Sequence, residues 1–95
     1  MILETAEITV TDAPAFEAAV REAVPLFLAS HGCEGVDLHR VVEGPSRYRL
    51  LVRWATLEDH TVTFRGSEAF TRWRALVSPF FASPPVVTHS QGIAL

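Results

Sequence analysis

The chain has 95 residues, 48% apolar and 20% charged, which is the balance of one folded domain rather than a disordered segment or two domains. Its net charge is −3, every basic residue is Arg, and no basic run occurs, so a nucleic-acid-binding surface is not expected. The single cysteine, Cys33, allows no internal disulfide, and the start lacks both a basic segment and a long apolar run, so a cytoplasmic protein with no membrane association is expected.

From Ile2 to Val10 the residues alternate, with Ala6, Ile8 and Val10 on one face, so a half-buried strand is predicted. Thr11-Asp12-Ala13-Pro14 opens a helix, with Thr or Asp as cap and Pro in the first turn. Phe16, Ala19, Val20, Ala23, Val24, Phe27 and Leu28 follow helical spacing and make one apolar face. Pro25 falls within that pattern and is expected to kink the helix or end its first part. Gly32 is a stop signal.

A second strand is predicted from Gly35 to Val42 and a third from Arg47 to Trp54, joined by the turn residues Glu43-Gly44-Pro45-Ser46 as a hairpin. In the third strand Tyr48, Leu50, Val52 and Trp54 share one face; Arg47, Arg49, Leu51 and Arg53 share the other. Thr56-Leu57-Glu58-Asp59 has the form of a capping box with Asp in the distal place, starting a short helix that runs to about Phe64. Gly66 breaks it. Ser67 caps a further helix with Phe70, Trp73 and Val77 on one face, and Pro79 stops that helix. Ser83-Pro84-Pro85 forces an extended link to a fourth strand, Val86 to Ser90.

The order β-α-β-β-α-β, with its second helix in two pieces, is most simply closed as a single α+β domain over residues 1–95. A four-stranded antiparallel sheet would carry the helices on one face. Its other face would be uncovered, with Leu3, Leu51 and Val87 among Arg and Thr residues. A second copy of the chain, related by a two-fold axis, is the expected cover.

Among chemical candidates, His60 stands one turn before Phe64 and would point with it toward the space between helix and sheet. A neutral imidazole among apolar walls can act as a base or orient a substrate oxygen; it can equally be a surface His bonded to a carbonyl. Trp54, Phe64, Phe70, Trp73, Phe80 and Phe81 are dense enough to wall a site for a flat aromatic ligand, or simply to form core. Tyr48 shares the strand face of Trp54 and has a hydroxyl to offer a ligand. His31, Cys33 and His39 do not match a structural zinc spacing, so no metal is expected. Arg49 and Arg53 face Glu7 on a neighbouring strand, which suggests a cross-strand ion pair. No phosphate-binding glycine loop, Ser-His-Asp arrangement or paired-carboxylate pattern is present.

Trp54-Ala55-Thr56-Leu57-Glu58-Asp59-His60 closely resembles the antibiotic biosynthesis monooxygenase family. So do Phe64-Arg65-x-Ser67, Phe70-x-x-Trp73, Pro84-Pro85-x-Val87-x-His89 and the earlier His31-Gly32-Cys33-x-Gly35. The resemblance implies a ferredoxin-like domain that dimerises sheet to sheet and holds a pocket between helices and sheet. It implies oxygenation of a small aromatic or polyphenolic substrate, anthrone- or quinol-like, by O₂ without a cofactor. His60 matches the family's helix His as base or orienter, with Trp54, Phe64 and Trp73 as wall. A superfamily relative degrades haem with an Asn on its first strand; this chain contains no Asn, which argues against that reaction. The alternative reading is a non-catalytic small-ligand-binding or stress-associated module of the same fold.

Overall fold

The alternating and helical segments order themselves as β1 (Ile2–Thr9), α1 (Ala13–Leu28), β2 (Cys33–Arg40), β3 (Arg47–Trp54), a π-helical turn (Asp59–Phe64), α2 (Glu68–Val77), a 3-10 turn (Ser78–Phe80) and β4 (Val86–Gln91). The structure is a computed structural model and describes residues 1–95. The strands lie in the order β2-β3-β1-β4, every pair antiparallel. This is the ferredoxin-like βαββαβ arrangement, and no helix is long and apolar enough to cross a membrane.

Register decides what faces the helices. Glu4, Ala6 and Ile8 of β1 stand opposite Val52, Leu50 and Tyr48 of β3. On the other side Glu4 and Ala6 stand opposite His89 and Val87 of β4. Opposed residues share a face, so all of these point toward the helical layer. Val87 is therefore on the covered face, not the open one expected for it. The phase of so short a strand is set by its pairing with β1, which its own residues do not reveal. Leu3 and Leu51 do fall on the open face and are half-buried there. The expected cross-strand ion pair forms between Arg49 and Glu7, at 3.2 Å, whereas Arg53 turns to Asp37 on β2 at 2.6 Å.

The core lies between this sheet face and the helices. Phe16, Ala23 and Phe27 of α1 are buried against Tyr48, Leu50, Val52 and Trp54 of β3 and Val77 of α2. Phe27 stacks on Phe64 with ring centroids 4.9 Å apart and meets Trp73 edge-on at 4.8 Å. Asp12 caps α1 by accepting from the Ala15 N–H at 3.1 Å. Of the two outcomes expected at Pro25, a kink or an end, the helix does not end: α1 runs through Pro25 to Leu28. Proline removes one backbone donor, but buried Ala23 and Phe27 flank it, and the Ala29 N–H still reaches the Pro25 carbonyl at 3.0 Å. The packing of those two side chains holds the last turn in place.

Two local devices aim the segment after β3. Gly32 adopts φ 79° after α1, a region that side-chain-bearing residues avoid, and a Cβ there would stand 2.1 Å from Asp59 Oδ2. Its carbonyl accepts from the Ala55 N–H at 2.7 Å, tying the end of α1 to the end of β3. Then Thr56 and Asp59 cap one another, each side-chain oxygen 3.2 Å from the other's backbone N–H. The short helix that follows is a π-helical turn: the Arg65 N–H reaches back five residues to the His60 carbonyl at 3.1 Å. Asp59, His60 and Phe64 are all turned inward and buried. Ser67 caps α2 by accepting from the Phe70 N–H at 3.2 Å. The second strand begins and ends two residues earlier than its sequence suggests, because a bulge between Cys33 and Gly35 brings Cys33 into pairing with Trp54.

Candidate active site

The inward face of β1, the π-helical turn and α2 enclose a cavity of about 290 Å³. Its sheet side consists of Glu4, Ala6, Ile8, Leu50 and Val87. Its helical side consists of Phe27, His60, Phe64, Phe70 and Trp73, with Phe81 and Pro85 from the link to β4 and with Arg65 and Arg74.

One chain of polar groups interrupts this apolar wall. Trp54 Nε1 donates to Glu4 Oε1 at 3.0 Å. His60 Nε2 stands 3.3 Å from the same oxygen, and His60 Nδ1 is 2.7 Å from His89 Nε2. The Trp54 and His60 rings lie nearly parallel, 18° apart with centroids separated by 5.4 Å, so the indole both holds the carboxylate and backs the imidazole. Glu4 and His60 are only 5% and 3% exposed, which sets their protonation. Burial pushes the Glu4 carboxyl above its ordinary range, although the Trp54 hydrogen bond and the Arg65 charge pull the other way. Burial, then Arg65 and His89, lowers His60 to about 4. Burial and Arg65 lower His89 as well. Both imidazoles are thus neutral at pH 7. A consistent assignment has His89 Nε2–H donating to His60 Nδ1 and His60 Nε2–H directed at an ionised Glu4. A proton taken up by Glu4 has a route to His60 and on to His89 if both rings exchange tautomer.

The sequence candidates separate into two groups. His60, Phe64 and Trp73 line the cavity together. Trp54 is fully buried behind Glu4 and His60 and supports the wall from outside. Tyr48 shares its strand face but lies six residues along β3, where its hydroxyl donates to Glu17, its ring packs on Phe16 at 5.0 Å, and Arg40 pairs with the same Glu17. It does not reach the cavity. His31, Cys33 and His39 do not converge. His31 is exposed with Nε2 3.7 Å from Asp59 Oδ1, Cys33 is half-buried with its thiol pushed up by burial, and His39 lies opposite Arg49 on the open face.

Sequence reasoning passed over Glu4, His89 and Arg65 as working groups. Glu4 carried a readable signal: it has the parity of Ala6, Ile8 and Val10, so a carboxylate was aimed into the core. His89 appeared only within the family-like motif Pro84-Pro85-x-Val87-x-His89, and its inward direction was not readable because the phase of β4 depends on pairing.

The chain matches the family model for antibiotic biosynthesis monooxygenases over residues 1–76, and it belongs to that family. It is 41% identical over 78 residues to the uncharacterized protein YczJ of Bacillus subtilis (strain 168), covering 82% of each chain. Its structure superposes on that of a protein of the antibiotic biosynthesis monooxygenase class from Bordetella bronchiseptica with a TM-score of 0.95 and 47% identity, covering 98% of this chain and 97% of the other. The fold is also that of SnoaB, a cofactor-independent oxygenase from Streptomyces nogalater, with a TM-score of 0.85, 13% identity, and 99% and 94% coverage.

Proposed function

We propose that the protein is a cofactor-independent monooxygenase that oxidises a small aromatic substrate with O₂. The observation that carries this reading is the Glu4-His60-His89 chain, which reaches through Glu4 and His60 a cavity whose wall includes Phe27, Phe64, Phe70, Trp73 and Phe81. Family membership and the shared fold of SnoaB support it. Glu4, whose carboxylate is made more basic by burial, takes a proton from an acidic CH₂ of the substrate, or from the hydroxyl of its enol tautomer. The resulting anion transfers one electron to O₂, and the radical pair combines to a peroxide anion. That anion recovers a proton, and loss of water leaves a carbonyl where a CH₂ stood. The protein supplies a proton acceptor set in a largely apolar wall. In this reading His60 keeps Glu4 oriented and shuttles its proton, and Phe64 and Trp73 hold the ring.

Oxygen uptake with a panel of phenols, naphthols and anthrones, of one to three rings, tests this. One O₂ consumed per substrate, unaffected by a chelator, is the expected result. The engagement of His60 at both ring nitrogens favours a second reading, a ligand-binding module without turnover. Tight binding with no oxygen uptake by any substrate of the panel would establish it instead.

The open sheet face, with half-buried Leu3 and Leu51, is proposed as the contact surface of a homodimer. Light scattering at micromolar concentration is expected to give twice the 10.5 kDa chain mass. A monomeric mass would overturn the assignment.

A further inference from the structure

The cavity has charge as well as shape. Of its fourteen lining residues nine are hydrophobic, and the groups able to carry charge are Glu4, His60, Arg65 and Arg74. Glu4 and His60 are buried, whereas the two arginines are exposed, Arg65 near enough for its charge to act on Glu4 and His60 and Arg74 farther along α2. The ion pairs of the molecule use Arg21, Arg40, Arg49 and Arg53, and neither Arg65 nor Arg74 joins one. Arg74 is instead held over the ring of Phe81, 5.7 Å from its centroid, with Phe81 itself part of the wall. Two arginines that join no ion pair, both lining one cavity, favour an anion there on a chain whose net charge is −3.

Size narrows the ligand further. The volume of 290 Å³ is about twice the ~150 Å³ that accommodates benzene in an engineered apolar cavity, which is room for about two fused rings.

We infer that the site takes a mono- or bicyclic aromatic acid, its carboxylate held by Arg65 and Arg74 and its reactive edge directed at Glu4. The orientation follows from charge: the reverse would set the carboxylate against Glu4, whereas at the arginines it meets two planar donors suited to it. This deepens the proposed function and rests on the cavity being the substrate site.

Calorimetric titration with 3-hydroxy-2-naphthoic acid and its methyl ester tests the inference without requiring turnover. The acid is expected to bind ~10- to 100-fold more tightly than the ester. In the double variant Arg65→Gln/Arg74→Gln the preference should fall below about threefold. Arg72→Gln, which removes a nearby α2 charge outside the cavity, should leave it unchanged. Equal binding of acid and ester, no binding of either, or an equal loss on Arg72→Gln would overturn the inference. A tricyclic anthracene carboxylate binding as tightly as the naphthoate would overturn the size limit. Oxygen uptake is read separately. Selective binding of the acid with no oxygen uptake by any substrate of the panel refutes the oxygenase reading alone; consumption of neutral substrates with no preference for acids refutes the inference alone.

Discussion

Glu4→Gln is expected to lower kcat by ~10²- to 10⁴-fold, the usual contribution of a positioned general base. The substitution keeps the shape of the side chain and an oxygen to accept the Trp54 N–H, so it removes basicity and little else. Stability should hold or rise, because burial disfavours the ionised carboxylate and Gln carries no charge to bury. Affinity for a naphthoate should likewise hold, since Arg65 and Arg74 are untouched. Steady-state oxygen consumption together with a urea melt would separate these outcomes. A kcat within threefold of the parent would remove Glu4 from the mechanism. His60→Gln should cost less, on the order of tenfold, because an imidazole lowered to about 4 is a poor final proton acceptor and serves Glu4 by orientation and relay. If His60→Ala leaves turnover untouched, even that role is wrong.

The second large effect is a loss of stability in mild acid. His60 is lowered in the folded state from 6.5 to about 4, so the unfolded chain binds a proton there that the native chain excludes. Its contribution is fully present above pH 6.5 and is lost as pH falls from there toward 4. At 1.36 kcal/mol per unit the loss amounts to roughly 3 kcal/mol, a large fraction of a small domain's stability. His89 is shifted in the same direction and adds to it. Glu4 has the opposite sign: its raised pKa costs stability above the unfolded value of 4.5, and that cost is relieved as it protonates, offsetting part of the loss at the acid end. Urea denaturation from pH 8 to 4 should show the fall, and His60→Gln should flatten it. A His60→Gln curve that falls as steeply as the parent's would show that His60 is not held neutral by the fold.

Much of the architecture was legible because it depends on local chemistry. The alternation of Tyr48, Leu50, Val52 and Trp54 set the buried face of β3, and Thr56 with Asp59 announced the reciprocal cap. Where a local rule left the outcome open or failed, a distant contact decided it. Pro25 left open a kink or an end of α1, and buried Ala23 and Phe27 keep the helix from ending there. Val87 was assigned to the wrong face, because the phase of β4 exists only once it pairs with β1.

The same division applies to His60, first distinguished by its place one turn before Phe64. Its position on an inward-facing turn, the aromatic character of its surroundings and the family of the chain all follow from short stretches of residues. Their meaning does not depend on what lies across the fold. Its partners lie elsewhere in the chain: Glu4 from β1 and His89 from β4 reach it only because antiparallel register sets those two residues side by side. Burial among Trp54 and Phe64 then determines its charge. Periodicity along one segment carries the direction of a side chain. Proximity, desolvation and proton affinity depend on the distances between segments, which come into being only when the sheet is assembled.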